Sequence, residues 1–415
     1  MRQYIRTVGD LSNVHACRAA TGSWRQPARL AAELRQPGGV SGRSPVGDVR
    51  NHRQTMKTMG NRATSLLPVA WRRRCTGGNA STVAVVGCIT FFVAATPFAA
   101  QAAEELPGVA VSARAGGHDG EAAAVIVDDH DWFDATRQRP VPVRLYLPAA
   151  AAGEHALPLV VFSHGIGGSR RGYSYLGTYW ASQGYASLHL QHVGSDRSLW
   201  TGNVFSLVGR LQAAAQEDEA IARVGDLRFA LDQLLAHPQL AARIDPARIV
   251  AAGHSYGANT VMLALGARIE RHGRVIDLAD ARLRAAILLS APPFYGERDS
   301  AKILAGITVP TLHVTATEDI IRIPGYYSGA EDRIAVFAGI AGPRKILAVF
   351  AGGSHSMFTD RAGSGGVELN AQVKAATRDL SLAFLRSVFG GGDASLRDWP
   401  ARYGSIVARF VAEGS

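Results

Sequence analysis

The sequence predicts an α/β fold: a mostly parallel central sheet flanked by helices, with antiparallel strands at its N-terminal side. Three observations carry this. Short, nearly continuous apolar runs at 157–162, 249–252, 285–290, 311–315 and 345–350 have the length and composition of buried strands. Helical or loop segments stand between most of them, as in βαβ crossovers. Ahead of the first run lie alternating segments with Pro140 and Pro142, which suit antiparallel edge strands. No internal repeat or second core is visible, so residues 103–415 are expected to form a single domain.

The elements follow in order. Residues 124–127 predict a strand, Asp128-Asp129-His130-Asp131 a turn, and 141–148 a second strand. Residues 157–162 form the first central strand and run into Ser163-His164-Gly165-Ile166-Gly167-Gly168-Ser169. A helix is expected from Tyr173 to Gln183, then a strand at 185–190 that leads to Gln191-His192-Val193-Gly194-Ser195-Asp196. From Ser198 to His237 the chain is polar and helical, with an apolar stripe at Val224, Leu227, Phe229, Leu231, Leu234 and Leu235. Asp245-Pro246 introduces the strand at 249–252, and Leu369 to Phe389 reads as the last helix.

Charge and cysteine content narrow the function. The 415-residue chain carries 44 Lys and Arg against 34 Asp and Glu, a net charge of +10. Such a balance ordinarily signals nucleic acid or an anionic membrane as partner. Residues 1–102, however, hold 14 of the basic and 3 of the acidic residues, which leaves 30 and 31 in 103–415. The body is close to neutral, and no nucleic-acid partner is expected. Cys17, Cys75 and Cys88 also precede residue 103. The body therefore has no thiol nucleophile, thiolate metal site or disulfide.

The basic segment reads as a leader. No residue from Cys75 to Ala103 is charged, and Arg72-Arg73-Arg74 stands immediately before. An apolar stretch at 83–95 softens into Thr96-Pro97-Phe98-Ala99-Ala100-Gln101-Ala102. Basic, apolar and small residues in that order form a signal peptide at 56–102, with cleavage expected after Ala102. The mature protein would then be periplasmic or secreted, with no membrane span. An uncleaved membrane anchor is the alternative, since the apolar run approaches spanning length. Pro97 and the alanine-rich end favour cleavage. Val85-Val86-Gly87-Cys88 resembles a lipoprotein box, but the apolar run continues past Cys88, where a lipid-modified cysteine would end it. Residues 1–55 are rich in Arg, Gly, Pro and Ser without apolar periodicity, a disordered composition. A signal peptide begins near the start of translation, so Met56 or Met59 is the expected initiator.

Gly253-His254-Ser255-Tyr256-Gly257 joins a buried strand to an apolar helical run, the setting of a nucleophile elbow. The serine would occupy a strained turn, and a side chain two residues to either side would strike a neighbouring strand or helix. The five residues alone fit equally a turn whose serine caps the helix. Nucleophilic chemistry needs in addition a base, an orienting acid and a second oxyanion donor. Each appears after a strand, where an α/β sheet presents its site. His355 follows the last predicted strand and is the candidate base. Asp319 follows the strand at 311–315 and is the candidate acid, although adjacent Glu318 is chemically able to serve. Asp277 and Asp280 precede a strand, at its wrong end. The backbone N–H groups of Ile166 and Tyr256 form the expected oxyanion pair. His164 and His254 read as structural hydrogen-bonders. His192 and Asp196 either line the pocket or belong to a loop network. Trp200, Phe294, Tyr295, Tyr326 and Tyr327 are candidates for the border of an apolar acyl pocket. No metal or organic cofactor is expected.

These segments resemble the α/β-hydrolase superfamily and, more narrowly, bacterial dienelactone-hydrolase-like proteins and the platelet-activating-factor acetylhydrolase type. The likeness covers residues 121–390. It rests on Asp134-Ala135-Thr136-Arg137-Gln138-Arg139-Pro140, on the segments 160–169 and 191–196, on the elbow, and on the loops carrying Asp319 and His355. It implies a serine ester hydrolase acting on a small-molecule or lipid-like ester. Dienelactone hydrolases proper use a cysteine nucleophile, so their lactone substrate does not carry over to Ser255. The expected activity is that of a serine carboxylesterase. A lipase or polyester hydrolase and a non-catalytic binding protein on the same fold are the rival readings.

Overall fold

The computed structural model describes residues 124–149, 156–271, 273–297, 299–323, 326–361 and 366–414. All lie in the compact unit Ala99–Ser415. The expectations for residues 1–55, for the signal peptide at 56–102 and for the three cysteines fall outside the described residues.

A hairpin of β1 (Val125–Asp134) and β2 (Arg139–Pro148) opens the chain. It is followed by β3 (Leu157–Ser163), α1 (Ser174–Ser182), β4 (Ala186–Leu190), α2 (Leu207–Ala214) and α3 (Glu217–Ala236). Next come β5 (Ile244–His254), α4 (Tyr256–Ala264), the small hairpin β6 (Arg268–Arg271) and β7 (Arg274–Asp277), and β8 (Leu283–Leu289). Then follow α5 (Ser300–Leu304), β9 (Thr311–Glu318), the hairpin β10 (Ile321–Ile323) and β11 (Tyr326–Ser328), and α6 (Ala330–Gly339). The chain finishes with β12 (Lys345–Ser354), α7 (Val367–Val388), α8 (Ala394–Tyr403) and β13 (Val407–Glu413).

Nine of these strands form one sheet in the order β1-β2-β4-β3-β5-β8-β9-β12-β13, parallel from β4 to β12. Alternation along each central strand feeds two cores. Leu159, Val161, Ile249, Ala251 and Leu288 pack with α3 and α4, whereas Val160, Phe162, Val250, Ala252 and Ile287 pack with α1, α7 and α8. β3 and β4 are consecutive in the chain, yet β5 lies on the other side of β3. The carboxyl ends of β3 and β5 therefore flank the switch point, where α/β sheets open a crevice. Among the described residues no helix is long and apolar enough to cross a membrane.

Three local expectations need correction. The segment Asp128–Asp131 is not a turn but continues β1. Arg144 of β2 holds Asp129 with two bonds of 2.7 and 2.8 Å, so the acidic run is paired across the hairpin. The turn falls at 135–138, where the Asp134 carboxylate accepts the N–H groups of Thr136 and Arg137, each at 3.0 Å. β2 is also not an edge strand, because β1 covers its outer side. Pro140 and Pro142 are tolerated because they precede Val143, where the paired register with β4 stops. Finally, α7 is not the last element: α8 packs beside it, and β13 pairs antiparallel with β12.

Two glycines test this packing in opposite directions. A Cβ on Gly257 of α4 would lie 1.9 Å from the Ser163 carbonyl oxygen, whereas one on Gly209 of α2 meets nothing within 4 Å. Gly257→Ala is expected to destabilise the protein by about 3 kcal/mol. Gly209→Ala is expected to stabilise it by ~0.5–1 kcal/mol. Chemical denaturation measures both.

Candidate active site

β5 ends at His254 and α4 begins at Tyr256, which leaves Ser255 alone in the turn at φ 55°, ψ −123°. Such a backbone costs a serine of order 1–3 kcal/mol and persists only where its surroundings over-determine it. Here they do. A Cβ on Gly253 would lie 2.4 Å from the Gly257 carbonyl, Gly257 is pressed on Ser163, and the Ser255 N–H donates to Leu289 at 2.9 Å. The Ser255 side chain makes no capping bond to α4. The turn is an elbow that presents the hydroxyl, not a helix cap.

His355 stands at the end of β12, as expected, and its Nε2 lies 2.8 Å from Ser255 Oγ. Its Nδ1 donates to Asp319 Oδ1 at 2.7 Å, which leaves Nε2 free to accept the serine proton. Asp319 follows β9 and is fully buried, while Glu318 is exposed. The structure thus separates the two neighbouring carboxylates. Asp319 Oδ2 also accepts Ser290 Oγ at 2.5 Å and Thr315 Oγ1 at 2.7 Å. Burial opposes its charge, but the bond from His355, the charges of His355 and Arg333, and the Ser290 hydroxyl outweigh burial. They hold the carboxyl below the usual carboxylate range.

The loop after β3 supplies the other side. The N–H groups of Ile166 and Tyr256 have no protein acceptor among the described residues. The direction of the Ile166 N–H is fixed through its own peptide unit. The carbonyl at the other end of that unit, on Gly165, accepts His164 Nδ1–H at 2.7 Å and the Gly168 N–H at 3.0 Å. His164 Nε2 in turn accepts the His192 N–H at 3.0 Å. His254 Nδ1 accepts from Tyr173 Oη at 2.8 Å, and its Nε2–H donates to the His355 carbonyl at 3.0 Å. Both histidines are structural hydrogen-bonders that orient their catalytic-side neighbours.

His192 does not line the cavity. It is buried, with Nε2 2.7 Å from Ser163 Oγ and Nδ1 3.0 Å from Asp226. Asp196 caps the turn at Ser198 and accepts Gln191 Nε2, so it too belongs to the loop network. Asp277 and Asp280 pair with Arg268 and Arg282, away from the strand ends that carry the site. Two neighbours of the candidate site escape a reading by motif. Arg333 of α6 is buried with Nη2 3.4 Å from Asp319. Arg223 of α3 is buried beneath the Ile166 loop. Each is a cation within an apolar helical stripe, and that anomaly is the only sign of it in the sequence.

Ser255 and His355 open on a cavity of about 1020 Å³. Ile166, Trp200, Leu211, Phe294, Ile321 and Tyr326 give it an apolar wall. Tyr295 also lines it, whereas Tyr327 points away into solvent. Among the described residues no group of three or more His, Cys, Asp or Glu is placed to hold a metal ion. A hydroxyl, a base and two backbone donors around one space can attack a carbonyl carbon and stabilise the oxyanion that results.

Residues 141–221 match the family model described as platelet-activating factor acetylhydrolase, isoform II. The match takes in β2, the Ile166 loop and the start of α3. No curated protein matches the chain. Among solved structures, a ferulic acid esterase from Streptomyces cinnamoneus is similar, at 23% identity and a TM-score of 0.46. The similarity covers 63% of this chain and 89% of that one. The family match and the sheet support an enzyme of the α/β-hydrolase type that acts on ester bonds.

The histidines around this site give a test by pH. Burial pushes His189, His254 and His313 down to about 3, and holds His164 and His192 well below their ordinary value. Unfolded, each takes the ordinary value of 6.5. The folded values lie lower, so the unfolded chain binds more protons below that pH. Stability is therefore complete above about pH 6.5 and falls as the pH drops toward about 3, by up to ~1.4 kcal/mol per unit for each histidine. Denaturant midpoints at about pH 7.5 and about pH 5 should differ accordingly, and equal midpoints contradict the assignment.

Proposed function

We propose that this chain is an exported serine carboxylesterase that cleaves its substrate through an acyl-enzyme. The observation that supports this most is the unbroken relay from Ser255 Oγ through His355 to buried Asp319 beside an apolar cavity. Ser255 Oγ attacks the ester carbonyl while His355 Nε2 takes its proton. Asp319 keeps the ring oriented and offsets the imidazolium charge without itself being protonated. The oxyanion is met by the N–H groups of Ile166 and Tyr256. His355 then gives the proton to the departing alcohol, and a water molecule repeats the sequence on the acyl-enzyme. These steps need neither a metal nor an organic cofactor.

The substrate is read as a small-molecule or lipid-like ester. The matched family is named for an acetylhydrolase, which favours a short acyl group. The size of the cavity and its apolar wall favour a second reading, a lipase or polyester hydrolase. Rates on esters of increasing acyl length separate the two, since a carboxylesterase loses activity as the chain lengthens. Export rests on the leader. Sequencing the N-terminus of the protein recovered outside the cytoplasm should give Ala103, and a mature N-terminus upstream of residue 60 would sink initiation at Met56 or Met59.

Three variants test the mechanism with a short-chain aryl ester. Ser255→Ala should lower kcat on the order of 10⁶-fold and abolish labelling by a serine-directed organophosphonate. Asp319→Asn should lower kcat by about 10⁴-fold, because His355 would take the wrong tautomer. Glu318→Gln should leave activity close to that of the parent. Activity that persists in Ser255→Ala overturns the proposal, and failure of the parent to label favours a binding protein on the same fold.

A further inference from the structure

A buried guanidinium is costly unless its charge is paired and its donors satisfied. Arg223 is 0% exposed, and among the described residues it makes no ion pair. Its partners are three hydroxyls, a carbonyl and an aromatic face. Nη2 donates to the His164 carbonyl and, at 3.2 Å, to Ser163 Oγ. Nη1 donates to Ser195 Oγ at 2.7 Å, and Nε to Thr260 Oγ1 at 2.8 Å. The guanidinium carbon lies 4.5 Å from the centroid of the Tyr256 ring.

These partners fall into two groups. The first brackets Ile166. His164 lies two residues before it, and the carbonyl of Ser195 holds the N–H of Gly167, the residue after it, at 2.8 Å. The second group belongs to the first turn of α4. The Thr260 hydroxyl itself donates to the Tyr256 carbonyl at 3.1 Å, and the Tyr256 ring covers the cation. One rigid fork thus reaches both segments that carry the unpartnered N–H groups.

We infer that Arg223 is the positioning residue of the oxyanion hole, fixing the Ile166 and Tyr256 donors against each other. The inference rests on the reading of Ser255 as nucleophile. Arg223 does not touch the substrate. It acts through the Ile166 loop and α4, and its loss should be felt where an oxyanion forms, not where the substrate first binds.

Arg223→Lys keeps the charge but replaces the fork with a single ammonium, which cannot reach all these partners at once. Thr260→Val removes only the acceptor of Nε. With a short aryl ester, Arg223→Lys should lower kcat at least ~10-fold and leave KM within about twofold. Thr260→Val should act in the same direction by less. A trifluoromethyl ketone, which forms a hemiketal oxyanion on Ser255, should weaken by the same factor as kcat. The matching secondary alcohol, which forms none, should bind as before. Leu234→Ala sits eleven residues along α3, about 16 Å from Arg223, and should lower stability without changing the ketone-to-alcohol ratio. Should Arg223→Lys fail to fold, Thr260→Val decides by the same ratio. Unchanged kcat, or equal weakening of ketone and alcohol, overturns the role of Arg223 while an inactive Ser255→Ala leaves the esterase reading standing. Activity retained in Ser255→Ala removes that reading itself.

Discussion

The site depends on one backbone contact: α4 starts against the carbonyl of Ser163, an approach that only glycine at 257 permits. Register brings it about. Ser163 pairs with Gly253 across β3 and β5, so the two strands end level and the chain leaving β5 must turn sharply. That turn drives Ser255 to positive φ, lifts its hydroxyl off the sheet and starts α4 with its N-terminal N–H groups beside the β3 loop. The candidate nucleophile and oxyanion donors are therefore set by main-chain packing, before any side chain is placed.

Side chains then polarise the two flanks of Ser255 differently. On the His355 flank, a buried carboxylate collects two hydroxyls, an imidazole and the Arg333 guanidinium. On the oxyanion flank, the carboxylate of Asp226 is held by Arg137 and Arg139 from the β1–β2 turn and by His192. The Asp134–Pro140 segment, which lies just ahead of the matched residues 141–221, thus braces α3 and is not part of the candidate site. Ser163, His192 and Asp226 even repeat the residue types and spacings of the relay, at 2.7 and 3.0 Å. All three are sealed from solvent, and burial first, then the charges of Arg223, Arg139 and Arg137, keep His192 neutral. Access to a cavity, and not the trio of residues, is what distinguishes the proposed catalytic relay from this structural one.

Much of this was legible in the sequence, for identifiable reasons. Ser255, His355 and Asp319 each follow an apolar run, and parallel sheets gather such positions at one end. The choice between Asp319 and Glu318 was not legible. It depends on β9 ending at Glu318 with that side chain outward, after which the Asp319 N–H turns back to Ala316 at 3.2 Å and drives its carboxylate inward. Arg223 and Arg333 were invisible as neighbours of the site because Ser163, His164, Ser195 and Thr260 on one side, and Asp319 on the other, belong to different elements. β13 has its apolar residues split by Arg409 and is half-buried or exposed throughout, and its place comes from pairing with β12. The Asp128–Asp131 run misled because turn residues and ion-paired strand residues look alike until Arg144 is seen opposite.

Trp200 adds an optical property to this architecture. Its indole N–H donates to the Gly167 carbonyl at 2.8 Å, and the ring fills the space where a Cβ on Gly167 would fall. At 47% exposure it stands half in water at the cavity wall, whereas Trp180 and Trp399 are buried. On the proposed mechanism, an acyl group lodged there would displace water from the indole and shift its emission to the blue. Acylation would then be visible on the unlabelled protein, through a fluorophore hydrogen-bonded to the loop that carries Ile166.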